Sequence, residues 1–246
     1  MHKILRIFIW ILSLAAIISI GFIAWGITPA KPMAEAQAAI QSDHGVDVKN
    51  DKWLVFTPIL TQPDTGFIIY PGGHVDYRAY APMAKDIASN GFLVVIVPMP
   101  LNLAVLNPDA GMEVTAAFPG IQHWFIGGHS LGGAMAANYV VNHPGTIEGL
   151  VLWAAYSASS DDLSESGVRA LSISATLDGL STPEKIKISR ERLPADTTWI
   201  VLEGGNHGQF GWYGNQPGDH GATISRQEQQ AQILSATLNF LNNLRK

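Results

Sequence analysis

The residues with the clearest chemical potential lie in the segment WFIGGHSLGG, where Gly128-His129-Ser130-Leu131-Gly132 forms a G-x-S-x-G pattern between an apolar run and a helical one. That context is a tight strand-to-helix turn, with flanking glycines letting strand and helix approach and Ser130 presented at a helix N-terminus. Developing negative charge is favoured there, and the free N–H of Leu131 can donate to an oxyanion. A serine hydroxyl is a weak nucleophile near neutral pH and needs a histidine base, itself oriented by a carboxylate. Asp178 follows the run ALSISATL, and His207 follows TTWIVLEGGN, so Ser, Asp and His fall in that order, 48 and 29 residues apart, each after an apolar run. Asp161 or Asp162 is the substitute acid and His220 the substitute base.

A second oxyanion donor is expected from Pro71-Gly72-Gly73-His74, after the run Phe67–Tyr70, with Gly73 and His74 as the candidates. Phe210, Trp212 and Tyr213 follow His207 closely enough to wall a substrate pocket, or else to pack the loop.

These residues need a scaffold that brings strand ends together. Val46–Val48 and Trp53–Pro58 read as a leading hairpin. The runs Phe67–Tyr70, Phe92–Val97, Trp124–Ile126, Gly149–Ala154, Ala170–Ser174 and Trp199–Leu202 lack polar alternation, the mark of strands buried on both faces. Helical patterns occupy Tyr77–Asn90, Leu131–Asn142, Pro183–Leu193 and Ser225–Leu244; Thr182 and Pro183 suit a helix cap and first turn. The alternation predicts an α/β chain with a mostly parallel, doubly wound sheet, helices on both faces, and a site at the carboxyl ends of the strands.

The motifs YPGGH, GHSLGG, ATLDG and GGNHG, in this order, resemble the α/β-hydrolase superfamily, more narrowly its small, lidless, membrane-anchored or exported bacterial members related to the dienelactone-hydrolase-like group. The resemblance covers about residues 46–246. It implies Ser130 as nucleophile, His207 as general base, Asp178 as its orienting acid, and Leu131 with Gly73 or His74 as oxyanion donors. Dienelactone hydrolases proper use a cysteine nucleophile, which a chain with no cysteine cannot supply, so their specific activity is not carried over. The segment Tyr156–Arg169 is too short for a lid. The resulting expectation is a carboxylic-ester hydrolase acting through an acyl-enzyme on small-molecule esters. A peptidase, an acyltransferase on envelope substrates, or a noncatalytic exported binding protein keeping the fold are the alternatives.

Composition narrows the field further. Without cysteine there are no disulfides and no thiolate metal sites. A net charge of −5 with no basic run argues against nucleic-acid binding. Neither a helical zinc spacing nor a dinucleotide glycine motif occurs, so no metal or cofactor is expected. The apolar excess sits at Ile7–Trp25, 19 residues whose only polar side chains are Ser13 and Ser19. At about 1.5 Å per residue this length crosses a bilayer, and Lys3 and Arg6 before it place the N-terminus in the cytoplasm. The expectation is a membrane anchor over residues 1–30, a tether or short helix over 31–45, and a capless hydrolase domain over 46–246 outside the cytoplasm. Signal cleavage and secretion is the alternative. Beyond residue 30 the net charge is −7, since only Lys3 and Arg6 are lost.

Overall fold

In the computed structural model, which describes residues 2–244, the short apolar runs pair into one eight-stranded sheet. The strands are β1 (Val46–Asn50), β2 (Leu54–Pro58), β3 (Thr65–Tyr70), β4 (Leu93–Ile96), β5 (His123–His129), β6 (Gly149–Trp153), β7 (Arg169–Ala175) and β8 (Thr198–Leu202). Their spatial order is β1-β2-β4-β3-β5-β6-β7-β8. The leading hairpin and the β2–β4 pair are antiparallel; every other pair is parallel. Alternate side chains serve two cores. Phe67, Ile69, Val94 and Ile96 face one, with helices α3 (Ala81–Ser89) and α7 (Arg226–Leu244). Ile68, Tyr70, Leu93 and Val95 face the other, with α4 (Ala110–Ala117) and α5 (Leu131–Asn142).

Three elements differ from the sequence reading. The pattern over Tyr77–Asn90 divides into a 3-10 turn, Tyr77–Tyr80, and α3, because Pro82 lacks an N–H and suits the first turn of a new helix. The run Trp199–Leu202 is not buried on both faces: β8 is the edge strand, and Val201 is 48% exposed. Between β4 and β5, where the sequence reading has no helical pattern, α4 forms around Gly111, whose N–H donates to Tyr70 Oη at 2.7 Å. The β6–β7 connection contains no helix. Helix α6 (Pro183–Ser189) starts as read, with Thr182 Oγ1 accepting from the Lys185 N–H.

At the N-terminus, α1 (His2–Gly26) includes a 22-residue stretch, Leu5–Gly26, long and apolar enough to cross a membrane. Every side chain from Leu5 to Trp25 is exposed; those of His2, Lys3 and Ile4 are not among the described ones. The short helix α2 (Ala34–Ala39) is packed rather than free, with Ala36 fully buried and Met33 N–H bonded to Trp212 O at 2.8 Å.

Candidate active site

Strand register sets the geometry. Tyr70 pairs with Gly128 and His129 with Trp153, so the Pro71–His74 loop leaves β3 level with the turn at Ser130. Ser130 has φ 53° and ψ −121°, a conformation that L-residues rarely adopt and that this turn enforces. The glycines around it are sterically required: a Cβ on Gly132 would strike Tyr70 O and Pro71 O, and one on Gly133 would meet the Gly128 carbonyl oxygen at 2.6 Å.

Asp178, after β7, and His207, after β8, are buried and face one another, with His207 Nδ1 2.8 Å from Asp178 Oδ2. The other carboxylate oxygen, Asp178 Oδ1, accepts from the N–H groups of Leu180 and Ser181 at 2.8 and 2.7 Å. His207 Nε2 is buried and has no partner among the described residues. No direct hydrogen bond therefore joins it to Ser130 Oγ. The substitutes are engaged elsewhere. Asp161 accepts from Asn138 and Ser160, Asp162 from the Ser164 N–H, and the exposed His220 offers its carbonyl to Asn206.

The two oxyanion candidates in the loop are now distinguishable. The N–H of His74 donates to Asn102 O at 2.8 Å, which withdraws it from an oxyanion. The Gly73 N–H has no acceptor among the described residues, and a Cβ on Gly73 would lie 3.1 Å from Leu131 Cδ2, so this loop touches the start of α5. Leu131 opens α5, where a helix leaves its N–H groups without intrahelical acceptors. A cavity of about 340 Å³ borders Ser130, Leu131, Met135, Tyr156 and Ser181. Phe210 and Trp212 do not line it. Phe210 is 1% exposed and stacks on His129, and Trp212 packs beneath Arg226, whereas Tyr213 borders a second cavity beside Gly73.

The family model described as Alpha/beta hydrolase family matches residues 66–231. The chain belongs to the α/β-hydrolase family. No curated protein sequence matches it. Among solved structures, this hydrolase is similar to a predicted CIB-like hydrolase from Thermoplasma acidophilum, at TM-score 0.61 and 14% identity, covering 81% of this chain and 100% of that one. It is also similar to a thermophilic esterase from the Planctomycetes species Thermogutta terrifontis, at TM-score 0.59 and 15% identity over 82% and 95% of the two chains. A structure of metagenome-derived lipolytic enzymes gives TM-score 0.56 and 13% identity over 74% and 94%. At these identities the likeness is one of fold.

Two groups in this α/β-hydrolase were not found from sequence. Asp219 lies between the loops that carry Asp178 and His207: Oδ1 accepts from Gly179 N–H at 3.1 Å and His207 N–H at 3.2 Å, and Oδ2 from Gly208 N–H at 2.8 Å. The first turns of α7 hold the same loop from outside. Gln229 bonds both backbone groups of Asn206, Gln230 bonds Gln209 O, and Arg226 donates to Gly208 O and Gly211 O. Asp219→Ala leaves three N–H groups without their acceptor, which is expected to cost about 1–3 kcal/mol of stability. Because the His207 loop is then less well held, kcat is expected to fall about 10–100-fold with KM little changed. Steady-state kinetics on the folded variant measures this; an unchanged kcat contradicts the positioning role.

The second group is the Tyr80–His129 pair. Tyr80 Oη accepts from the Gly72 N–H at 3.0 Å and lies 2.8 Å from His129 Nδ1, linking the Pro71–His74 loop to the turn at Ser130. Burial raises the Tyr80 phenol, so it stays protonated within hydrogen-bond reach of Nδ1. Burial, and then the charge of His207 at a ring separation of 4.4 Å, hold the His129 imidazole well below its ordinary value of 6.5, so it is neutral. An unfolded chain takes up this proton as pH falls through 6.5 while the folded chain does not, so acid favours unfolding. Between about pH 7 and about pH 5 the wild type should lose up to about 2 kcal/mol more stability than His129→Gln, read from urea unfolding at both pH values. Equal losses would refute a buried neutral His129.

Proposed function

We propose that this hydrolase is a membrane-anchored carboxylic-ester hydrolase in which Ser130 is the nucleophile, His207 the general base and Asp178 its orienting acid. The observation that carries this reading is the buried Asp178–His207 pair at 2.8 Å, whose outward nitrogen Nε2 is left without a partner while the serine turn lies alongside through His129. Asp178 holds the proton on Nδ1, which fixes Nε2 as the acceptor. His207 Nε2 takes the Ser130 proton as Oγ bonds to the ester carbonyl carbon, and the carbonyl oxygen, now negative, is held by the N–H groups of Leu131 and Gly73. As that oxygen reforms its double bond, the carbon–alkoxide bond breaks, and His207 returns its proton to the departing alcohol. Water then repeats the sequence on the seryl ester, releasing the acid.

Residues 1–30 serve in this proposal as the anchor, 31–45 as a short packed connection, and 46–246 as a capless catalytic domain; Met1, Arg245 and Lys246 lie outside the described residues. Lys3 and Arg6 before the apolar stretch favour a catalytic domain outside the cytoplasm. Retention of α1 is supported by its last turn, because the Trp25 carbonyl lies 2.7 Å from His74 Nε2 and the Gly26 carbonyl accepts from Asn102 Nδ2 at 2.9 Å. Turnover of p-nitrophenyl acetate against a matching p-nitroanilide tests the reaction class. Ester turnover far exceeding amide turnover supports the esterase, amide turnover of similar efficiency favours the peptidase, and a folded protein inert to both leaves the noncatalytic binding protein.

A further inference from the structure

The last turn of α1 is joined to the oxyanion loop itself. The Trp25 indole stacks on the His74 imidazole with centroids 4.1 Å apart and planes 12° off parallel. Gly26 is packed against Leu101, where a Cβ would come within 2.8 Å of the Leu101 Cβ. His74, Leu101 and Asn102 all have left-handed backbones, at φ 57°, 50° and 56°, a conformation that costs roughly 1 kcal/mol or more for each such residue. The joint therefore holds three unfavourable conformations in place.

Beside this joint opens a cavity of about 400 Å³, bordered by Trp25, Gly73, Val75, Leu103 and Tyr213, with Gln216 on its polar rim. Its size is that of a small-ligand site. Gly73 forms one wall, and Leu131 packs on Gly73, so the cavity begins where the proposed oxyanion donors stand. Ile27, next after α1, and Val105 and Leu106, which follow Leu103 in the chain, are 64%, 52% and 49% exposed. The surface of the bilayer that α1 would cross accommodates such exposed apolar side chains, with Trp25 at the interfacial level.

We propose that this cavity receives the acyl chain of an amphiphilic ester drawn from the bilayer that carries α1, the chain passing between Trp25 and Leu103 so that its carbonyl reaches Gly73 and Leu131. The inference rests on the anchored-hydrolase reading and adds to it the substrate class: a single-chain acyl ester presented at the membrane surface.

The test uses the full chain in phosphatidylcholine vesicles with p-nitrophenyl esters from acetate to dodecanoate. Each buried methylene can contribute up to about fourfold to kcat/KM. The ratio of dodecanoate to acetate efficiency is expected to reach at least about tenfold in the wild type and to fall about tenfold in Leu103→Asp, which sets a charge in the chain's path. A flat or falling chain-length profile, with acetate still hydrolysed, overturns the acyl-site inference and leaves the hydrolase standing. So does an undiminished ratio in Leu103→Asp. If no ester is hydrolysed by the folded wild type, the hydrolase reading fails and takes this inference with it. Should Leu103→Asp not fold, the wild-type profile decides alone.

Discussion

Ser130→Ala is expected to lower kcat for ester hydrolysis by about 10⁴–10⁶-fold while leaving the fold intact. Alanine fits the space of serine, and His207 Nε2 has no partner among the described residues, so the loss of the Ser130 hydroxyl takes no hydrogen bond from it. The strained backbone at φ 53° is imposed by Gly128, Gly132 and Gly133 and by the Ser130 N–H bond to Trp153 O at 3.0 Å, all of which survive. What disappears is the atom proposed to form the acyl-enzyme. The remaining rate, owed to the N–H groups of Leu131 and Gly73 and to substrate binding, should change little on adding His207→Ala, because residues acting as one unit are not additive. Kinetics on the single and double variants measure both effects. A residual kcat within about tenfold of wild type would remove Ser130 from the mechanism.

Asp178→Asn should cost about 10⁴-fold in kcat with little change in KM. The asparagine carbonyl can still accept from the Leu180 and Ser181 N–H groups, so the turn after β7 survives. Its amide, however, presents donors to His207 Nδ1 where Asp178 Oδ2 accepted at 2.8 Å. The imidazole then carries its proton on Nε2, the atom that must accept from Ser130. The variant tests the tautomer separately from the geometry. Nearly full activity would mean that Asp178 is a turn residue and that some other acid orients His207.

Legibility in the sequence followed the range over which each constraint acts. The serine turn is local: four glycines within seven residues, between an apolar run and a helical pattern, leave little else for the chain to do. Asp178 and His207 follow apolar runs that became β7 and β8, so strand order alone brings them to one edge of the sheet. Asp219 carries no such mark, since it bonds backbone groups 11, 12 and 40 residues away and sits in a loop of ordinary turn residues. Tyr80 and His129, 49 residues apart, meet only because the β3–β5 register sets the end of β5 beside the segment that follows β3. Choosing between Gly73 and His74 needed the Asn102 carbonyl, which takes the His74 N–H across a separate loop. Helix α4 has no clear apolar stripe and is held by Tyr70 and Tyr139 through Gly111, a tertiary cause that periodicity does not reveal.

The most direct test of the central claim is to treat the full chain with a fluorophosphonate, which forms a stable bond to an activated serine, and to map the adduct by mass spectrometry. One adduct per chain, on Ser130 and strongly reduced in Asp178→Asn, is the expected result. A folded chain that acquires no adduct, or acquires it at another residue, would contradict Ser130 as the nucleophile.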